Sequence, residues 1–281
     1  LPELPEVETI RRQLAPVVEG MRVAAVEVVD DKWVLPLAPA DFERALTGRS
    51  ASALDRRGKY FVLRLKDGGA LVMHLRMTGN LLYIGESDPM PEKHVRGQLW
   101  LESSRGAARG SLIFTDPRRF GTAELLTSDE AVDDYFAGRL GPEPFDDDFS
   151  GEYLKSKLRG RKTPIKAVLL DQSVVAGVGN IYADEALHCA SVAPHKRAAR
   201  VTLAQAELLA EAVRDALSAG IDAKGASIDD FRDAYGVKGS FQDQLLVHLR
   251  EGLPCPACGT TIKKTRCAGR GTYHCPACQR A

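Results

Sequence analysis

From Val7 the apolar positions fall at Ile10, Leu14 and Val17, a spacing of three and four residues that predicts a helix with one buried face. Pro5 suits its first turn, Glu6 and Glu8 complement the positive end of its dipole, and Gly20 closes it. The period then changes to two. Tyr60–Leu65 and Ala70–Met77 read as paired strands, and the Asp67-Gly68 step between them supplies the positive φ of a tight turn. Gly97–Glu102 and Gly110–Asp116 alternate in the same way. Helical periodicity returns after Thr202, which forms a capping box with Gln205, and the helix is expected to end near Gly220. Between the two regimes Ala137–Phe149 is rich in Pro, Gly and Asp and reads as a linker. The pattern gives a β-rich N-terminal domain, a linker, a helical domain and a basic C-terminal hairpin, with no internal repeat.

A chain of 281 residues, 44% hydrophobic and 27% charged, is long enough for two globular domains. It has no apolar run long enough to span a bilayer and no leader pattern, so a cytoplasmic protein is expected. Net charge is zero, yet the charges are segregated. Glu124–Glu152 holds ten acidic residues against Arg139 alone, whereas Lys155–Lys166 holds six basic residues and no acid. From Phe241 onward six Lys and Arg face only Asp243 and Glu251. Such clusters can hold a polyanion locally in a neutral protein, with plain solvated surface as the competing reading.

The cysteines sharpen this. Cys255 and Cys258 form one knuckle, Cys275 and Cys278 a second, with sixteen residues between them. That spacing suits a tetrahedral zinc site better than disulfides, which a cytosol disfavours. Cys189 and Cys267 read as small buried side chains, and His274 is a less symmetric alternative ligand. Between the knuckles Lys263, Lys264, Arg266 and Arg270 lie on a predicted β-hairpin suited to a phosphate backbone, although zinc ribbons also serve as plain staples. Upstream, Gly177 and Gly179 feed a helix expected to begin at Ile181 with Asn180 as N-cap, either an ordinary capped turn or a phosphate cradle. In Phe114–Thr122 a loop joins Arg118 and Arg119 to Phe120, which is either a wedge for a base stack or an anchor to the core.

Together these pieces resemble the formamidopyrimidine-DNA glycosylase family over essentially the whole chain. The resemblance rests on PELPEVET at Pro2–Thr9, GKY at Gly58–Tyr60, DPRRFG at Asp116–Gly121, GVGNIYADE at Gly177–Glu185 and the cysteine knuckles with GRGTYHCPACQ. A sister family acting on oxidised pyrimidines typically opens with PEGPE, and Leu4 with the following VET favours the purine type. The resemblance implies an α+β protein of two domains. They are an N-terminal β-sandwich with an N-terminal helix (1–135) and, after a linker (136–148), a helix-two-turn-helix DNA-binding domain (149–240) with a β-hairpin zinc finger (245–279).

It also implies base-excision repair of 8-oxoguanine and formamidopyrimidines in double-stranded DNA, with one structural zinc on Cys255, Cys258, Cys275 and Cys278. Pro2 would attack the sugar C1′ as the nucleophile and form a Schiff base, with Glu3 as acid/base partner. Lys59 would assist β-elimination and Arg270 δ-elimination. Met77, Arg118 and Phe120 match residues that fill the hole left by the flipped base, and His94, Lys162, Asn180 and Arg118 match DNA contacts. The chemistry is consistent. A terminal α-amine with a pKa of about 8 is partly neutral near pH 7, and the iminium it forms acidifies the C2′ proton. As written, Leu1 makes the Pro2 nitrogen an amide with no lone pair for attack, so the active form is expected to lack it, Leu1 standing for an alternative start read as methionine and removed. The protein is expected to be a bacterial, nucleoid-associated monomer without membrane contact. A pyrimidine-type glycosylase and a non-catalytic zinc-finger DNA-binding protein remain as alternatives.

Overall fold

The computed structural model describes residues 2–91, 93–103, 106–228 and 231–280. By internal contacts the chain divides into two compact units. One runs to Ala137 and takes in Lys224–Ser240; the other comprises Gly138–Ala223 and the residues from Phe241 onward.

The first unit opens with helix α1 (Leu4–Val18), followed by β1 (Arg22–Val28), α2 (Pro39–Leu46), β2 (Ala51–Arg57), β3 (Tyr60–Leu65) and β4 (Ala70–His74). Strands β5 (Asn80–Ile84), β6 (Val95–Glu102), β7 (Ala108–Thr115) and β8 (Thr122–Leu126) and helix α3 (Asp129–Phe136) complete it. The strands form two four-stranded sheets, ordered β1-β6-β7-β5 and β2-β3-β4-β8, which make a β-sandwich. The apolar stripe of α1 explains its place. Val7, Ile10 and Leu14 are wholly buried, in one core with Leu54, Phe61 and Leu63 of one sheet and Leu99, Leu112 and Phe114 of the other. Each such side chain contributes roughly 1.5–3 kcal/mol. The last buried position is Val18 rather than Val17, which only flanks the core.

The Asp67-Gly68 turn forms as its sequence demands, with Gly68 at φ +92°. Strand β4 stops at His74 instead of continuing to Met77, because Arg76 turns left-handed at φ +56° and leaves the ladder. Residues Lys224–Ser240 follow the long helix in sequence but bond to the first unit. Ala226 N–H donates to Glu6 at 2.7 Å, Ala234 N–H to Gln13 at 3.0 Å, and Tyr83 N–H to the Ala234 carbonyl at 3.0 Å.

The second unit holds α4 (Gly151–Leu158), α5 (Ile165–Leu169), α6 (Asn180–Cys189) and α7 (Leu203–Asp222), then the hairpin β9 (Lys263–Cys267) and β10 (Arg270–His274). The Thr202/Gln205 capping box is present. Helix α7 ends at Asp222, near Gly220 as expected. Gly220 itself lies in the last turn where the Tyr182 ring packs, and a Cβ there would sit 2.5 Å from that ring. The expected linker carries neither helix nor strand, yet it is fastened: Arg214 donates to the Pro144 carbonyl at 2.8 Å and also to that of Phe149. Cys267 is buried as expected, but Cys189 is exposed, since its place on α6 turns away from the core. Among the described residues no helix is long and apolar enough to cross a membrane.

Candidate active site and nucleic-acid interface

Pro2 and Glu3 are both buried at the head of α1, where Glu3 is the N-cap. Leu1 lies outside the described residues. The Glu6 carboxylate fixes this start: Oε2 accepts the Glu3 N–H at 2.8 Å while Oε1 accepts Ala226 N–H. Glu8, one turn further, is an ion-pair hub. Burial opposes its ionisation, but hydrogen bonds from Arg11 and Arg12 and the charges of Arg11 and Arg56 outweigh that and hold its carboxyl at about 2. Arg56 reaches Glu8 at 3.1 Å and the Gly58 carbonyl at 3.0 Å. It therefore ties the helix that begins beside Pro2 to the two-residue turn that carries half-buried Lys59. Glu6 and Glu8 thus act through tertiary partners, a role their reading as dipole charges did not anticipate.

The strand after that turn brings in a residue the sequence reading missed. Tyr60 faces His74 across β3 and β4, the rings edge to face at 4.4 Å. Burial first, then the charges of Arg76 and Lys59, push the His74 pKa down to about 3. The ring is therefore neutral near pH 7. Because Arg76 N–H donates to Nδ1 at 2.9 Å, the proton resides on Nε2, leaving that atom as a donor.

Three loops of the same unit present the expected DNA-contacting groups. Met77 follows β4 and is 38% exposed, Phe120 follows β7 and is 54% exposed, and His94 precedes β6 and is exposed. Exposure of that size excludes Phe120 as an anchor to the core. The two arginines beside it differ. Arg118 is exposed and lies 3.7 Å from the Met77 sulfur, whereas Arg119 grips Asp30 through two contacts at 2.6 and 2.7 Å. Arg119 is structural, and its hydrogen bonds hold the Asp30 carboxyl below its ordinary range.

In the second unit α6 begins at Asn180 with Gly179 as N-cap, so Asn180 is not the cap. Its side chain is committed elsewhere: Nδ2 donates to the Gly271 carbonyl at 3.1 Å, bringing Asn180 next to exposed Arg270 on β10. The same carbonyl accepts from Lys166 Nζ at 3.2 Å. Lys166 is wholly buried, pairs with Asp184 at 2.7 Å and reaches Thr272 Oγ1 at 2.8 Å. Asp184 also meets the His248 ring at 2.8 Å and accepts Tyr273 N–H at 3.2 Å, while Glu185 accepts the N–H groups of Leu246, Val247 and His248. These contacts seat the hairpin on α5 and α6. Lys162 is exposed between α4 and α5.

The hairpin turn, Ala268-Gly269, uses positive φ at both residues. Behind it the Sγ atoms of Cys255, Cys258, Cys275 and Cys278 lie within 4.8 Å of one another. Three of their separations are 4.0, 3.5 and 3.4 Å. A tetrahedron with Zn–S of about 2.3 Å has sulfur–sulfur edges of about 3.8 Å, so the four residues fit one zinc. His274 is outside the cluster and stacks edge-on against His195 at 6.0 Å. Four thiolates leave no open coordination position, so the metal is a staple.

Comparison with known proteins places this geometry among relatives. Residues 1–123 match the formamidopyrimidine-DNA glycosylase N-terminal domain, residues 140–232 the formamidopyrimidine-DNA glycosylase H2TH domain, and residues 252–281 the zinc finger found in FPG and IleRS. A formamidopyrimidine-DNA glycosylase of Desulforamulus reducens is 43% identical over 282 residues, covering all of both chains. The structure is similar to a Lactococcus lactis FPG variant in complex with DNA containing Fapy-dG, at a TM-score of 0.91 and 35% identity with full coverage of both chains. It is also similar to the wild-type Lactococcus lactis protein in complex with DNA containing an oxidised pyrimidine, at a TM-score of 0.90, 35% identity and the same coverage.

Proposed function

This chain belongs to the formamidopyrimidine-DNA glycosylase family, and we propose on that premise that Pro2 is its nucleophile. It is a base-excision repair enzyme that removes oxidised purines from double-stranded DNA and cleaves the abasic strand. The observation that supports the nucleophile is the start of α1, where Pro2 and Glu3 are buried and Glu6 locks the following backbone.

A free Pro2 nitrogen adds to C1′ as the damaged base leaves, and loss of the sugar C1′–O4′ bond gives an iminium. Glu3 supplies the proton that the opening ring oxygen takes up. The iminium draws electrons from C2′, whose proton is removed with help from Lys59 as the 3′ phosphate departs. A second elimination, assisted by Arg270, releases the 5′ phosphate. Neutral His74, beside the Lys59 turn, offers Nε2–H to a phosphate oxygen. Met77, Arg118 and Phe120 occupy the space vacated when the base leaves the stack, which otherwise costs a few kcal/mol. Lys162, Asn180 and His94 hold the backbone. Zinc, when bound, keeps the hairpin folded. The reaction is assigned to a bacterial cytoplasm, at the nucleoid.

The test is single-turnover cleavage of matched duplexes carrying 8-oxoguanine or thymine glycol. Faster cleavage at 8-oxoguanine supports the purine assignment, and the reverse order overturns it. The relative bound to an oxidised pyrimidine favours measurable, slower cleavage at thymine glycol as well.

A further inference from the structure

We propose that Asp116 is the positioning residue of the base-stack wedge, gathering the loops that carry Met77, His94, Arg118 and Phe120 onto one buried carboxylate. The inference rests on the wedge reading above. Asp116 has no exposed surface, and each of its polar groups is engaged. Oδ1 accepts the Arg118 N–H at 3.1 Å and the Thr78 hydroxyl; Oδ2 accepts the Phe120 N–H at 2.7 Å and the Gly121 N–H at 2.8 Å. Its own N–H donates to the His94 carbonyl at 2.9 Å, and its carbonyl accepts from Arg96 Nε at 2.7 Å.

The chemistry requires a carboxylate. An ionised carboxylate is acceptor-only with about four lone-pair sites, and four donors converge here. An asparagine of the same shape would turn an NH2 toward two of those donors, and no water can replace the lost acceptor at a site without exposure. Gly121 leaves room for the arrangement, since a Cβ there would meet the Phe114 ring at 2.5 Å.

The backbone points the same way. Each of the three loops contains a non-glycine residue in the left-handed region: Arg76 at φ +56°, His94 at +66° and Arg119 at +59°. Such conformations persist where surrounding contacts over-determine them. The wedge side chains themselves are exposed, so the core does not hold them; the backbone beneath them must be rigid if they are to press on a base stack. Arg119 on Asp30 pins the outer side of the turn, and Asp116 pins the inner side.

The experiment compares Asp116→Asn, Thr78→Val and Phe120→Ala with the wild type. The readouts are single-turnover cleavage of a duplex with 8-oxoguanine paired to cytosine and of a duplex with a preformed abasic site. Asp116→Asn, which faces two of the four donors with an NH2, is expected to slow the paired lesion at least about tenfold and the abasic site by no more than about twofold. Thr78→Val, which removes only the tie to the Met77 loop, is expected to act in the same sense and more weakly. It decides the matter should Asp116→Asn fail to fold. Equal slowing of both substrates, or no slowing of either, by these two variants while Phe120→Ala discriminates overturns the inference alone. A Phe120→Ala protein that treats both substrates equally overturns the wedge reading beneath it.

Discussion

Glu8→Gln removes the charge at the centre of the Arg11, Arg12 and Arg56 cluster while keeping the side chain's shape. In the folded protein the Glu8 carboxyl lies at about 2 against an ordinary 4.5. At about 1.36 kcal/mol per pH unit that displacement is an upper bound of about 3 kcal/mol. The Arg12 side chain is 58% exposed and solvent screens its share, so a loss of about 1–2 kcal/mol is expected. Because the folded value is depressed, the contribution is fully present above pH 4.5 and fades as pH falls from there toward 2. Both tryptophans, Trp33 and Trp100, lie in the first unit, so urea unfolding followed by tryptophan fluorescence reports that unit. The difference between wild type and Glu8→Gln should hold steady from pH 7 to 5 and shrink measurably by pH 3. A difference that is absent at pH 7, or unchanged at pH 3, would falsify the hub assignment.

Three further outcomes follow from the second unit. One zinc per chain is expected by elemental analysis, and Cys258→Ser should abolish duplex binding; normal binding and cleavage by metal-free protein would contradict a structural zinc. Lys162→Ala should weaken damaged and undamaged duplexes alike and lower the slope of log affinity against log salt by about 0.9, whereas selective loss on the damaged duplex would mean that Lys162 reads the lesion. Lys166→Met takes from the buried Asp184 carboxylate its lysine partner, leaving the His248 ring and the Tyr273 N–H on the other oxygen, and should destabilise the second unit by up to about 3 kcal/mol in calorimetry; an unchanged transition would show that the pair is dispensable.

Much of this was legible in the chain because it depends on local signals. The stripe from Val7 to Leu14 marked α1, the Thr202/Gln205 box marked the start of α7, and the knuckle spacing marked the thiolate cluster. What escaped depends on partners distant in sequence. Asn180 has the side chain of an N-cap, but the Gly271 carbonyl, 91 residues later, claims its amide and Gly179 caps the helix instead. Gly220 marked the neighbourhood of the α7 C-terminus, but nothing local reveals the Tyr182 ring that needs its bare Cα. Lys224–Ser240 carries no pattern that announces its bonds to Glu6 and Gln13, some 220 residues away. His74 sat in an ordinary strand pattern; only the register with Tyr60 places it beside Lys59. Arg118 and Arg119 are indistinguishable in sequence, and Asp30 separates them.

The central claim is that the Pro2 nitrogen forms the bond to the sugar. Borohydride trapping on 8-oxoguanine duplex, followed by proteolysis and mass mapping of the cross-linked peptide, tests it most directly. The measurement uses two preparations verified by intact mass, one beginning at Pro2 and one retaining Leu1. The account predicts an adduct on the Pro2 nitrogen in the first and none in the second, which should still bind the duplex. An adduct mapped to Lys59, or equal trapping by the form that retains Leu1, would contradict it.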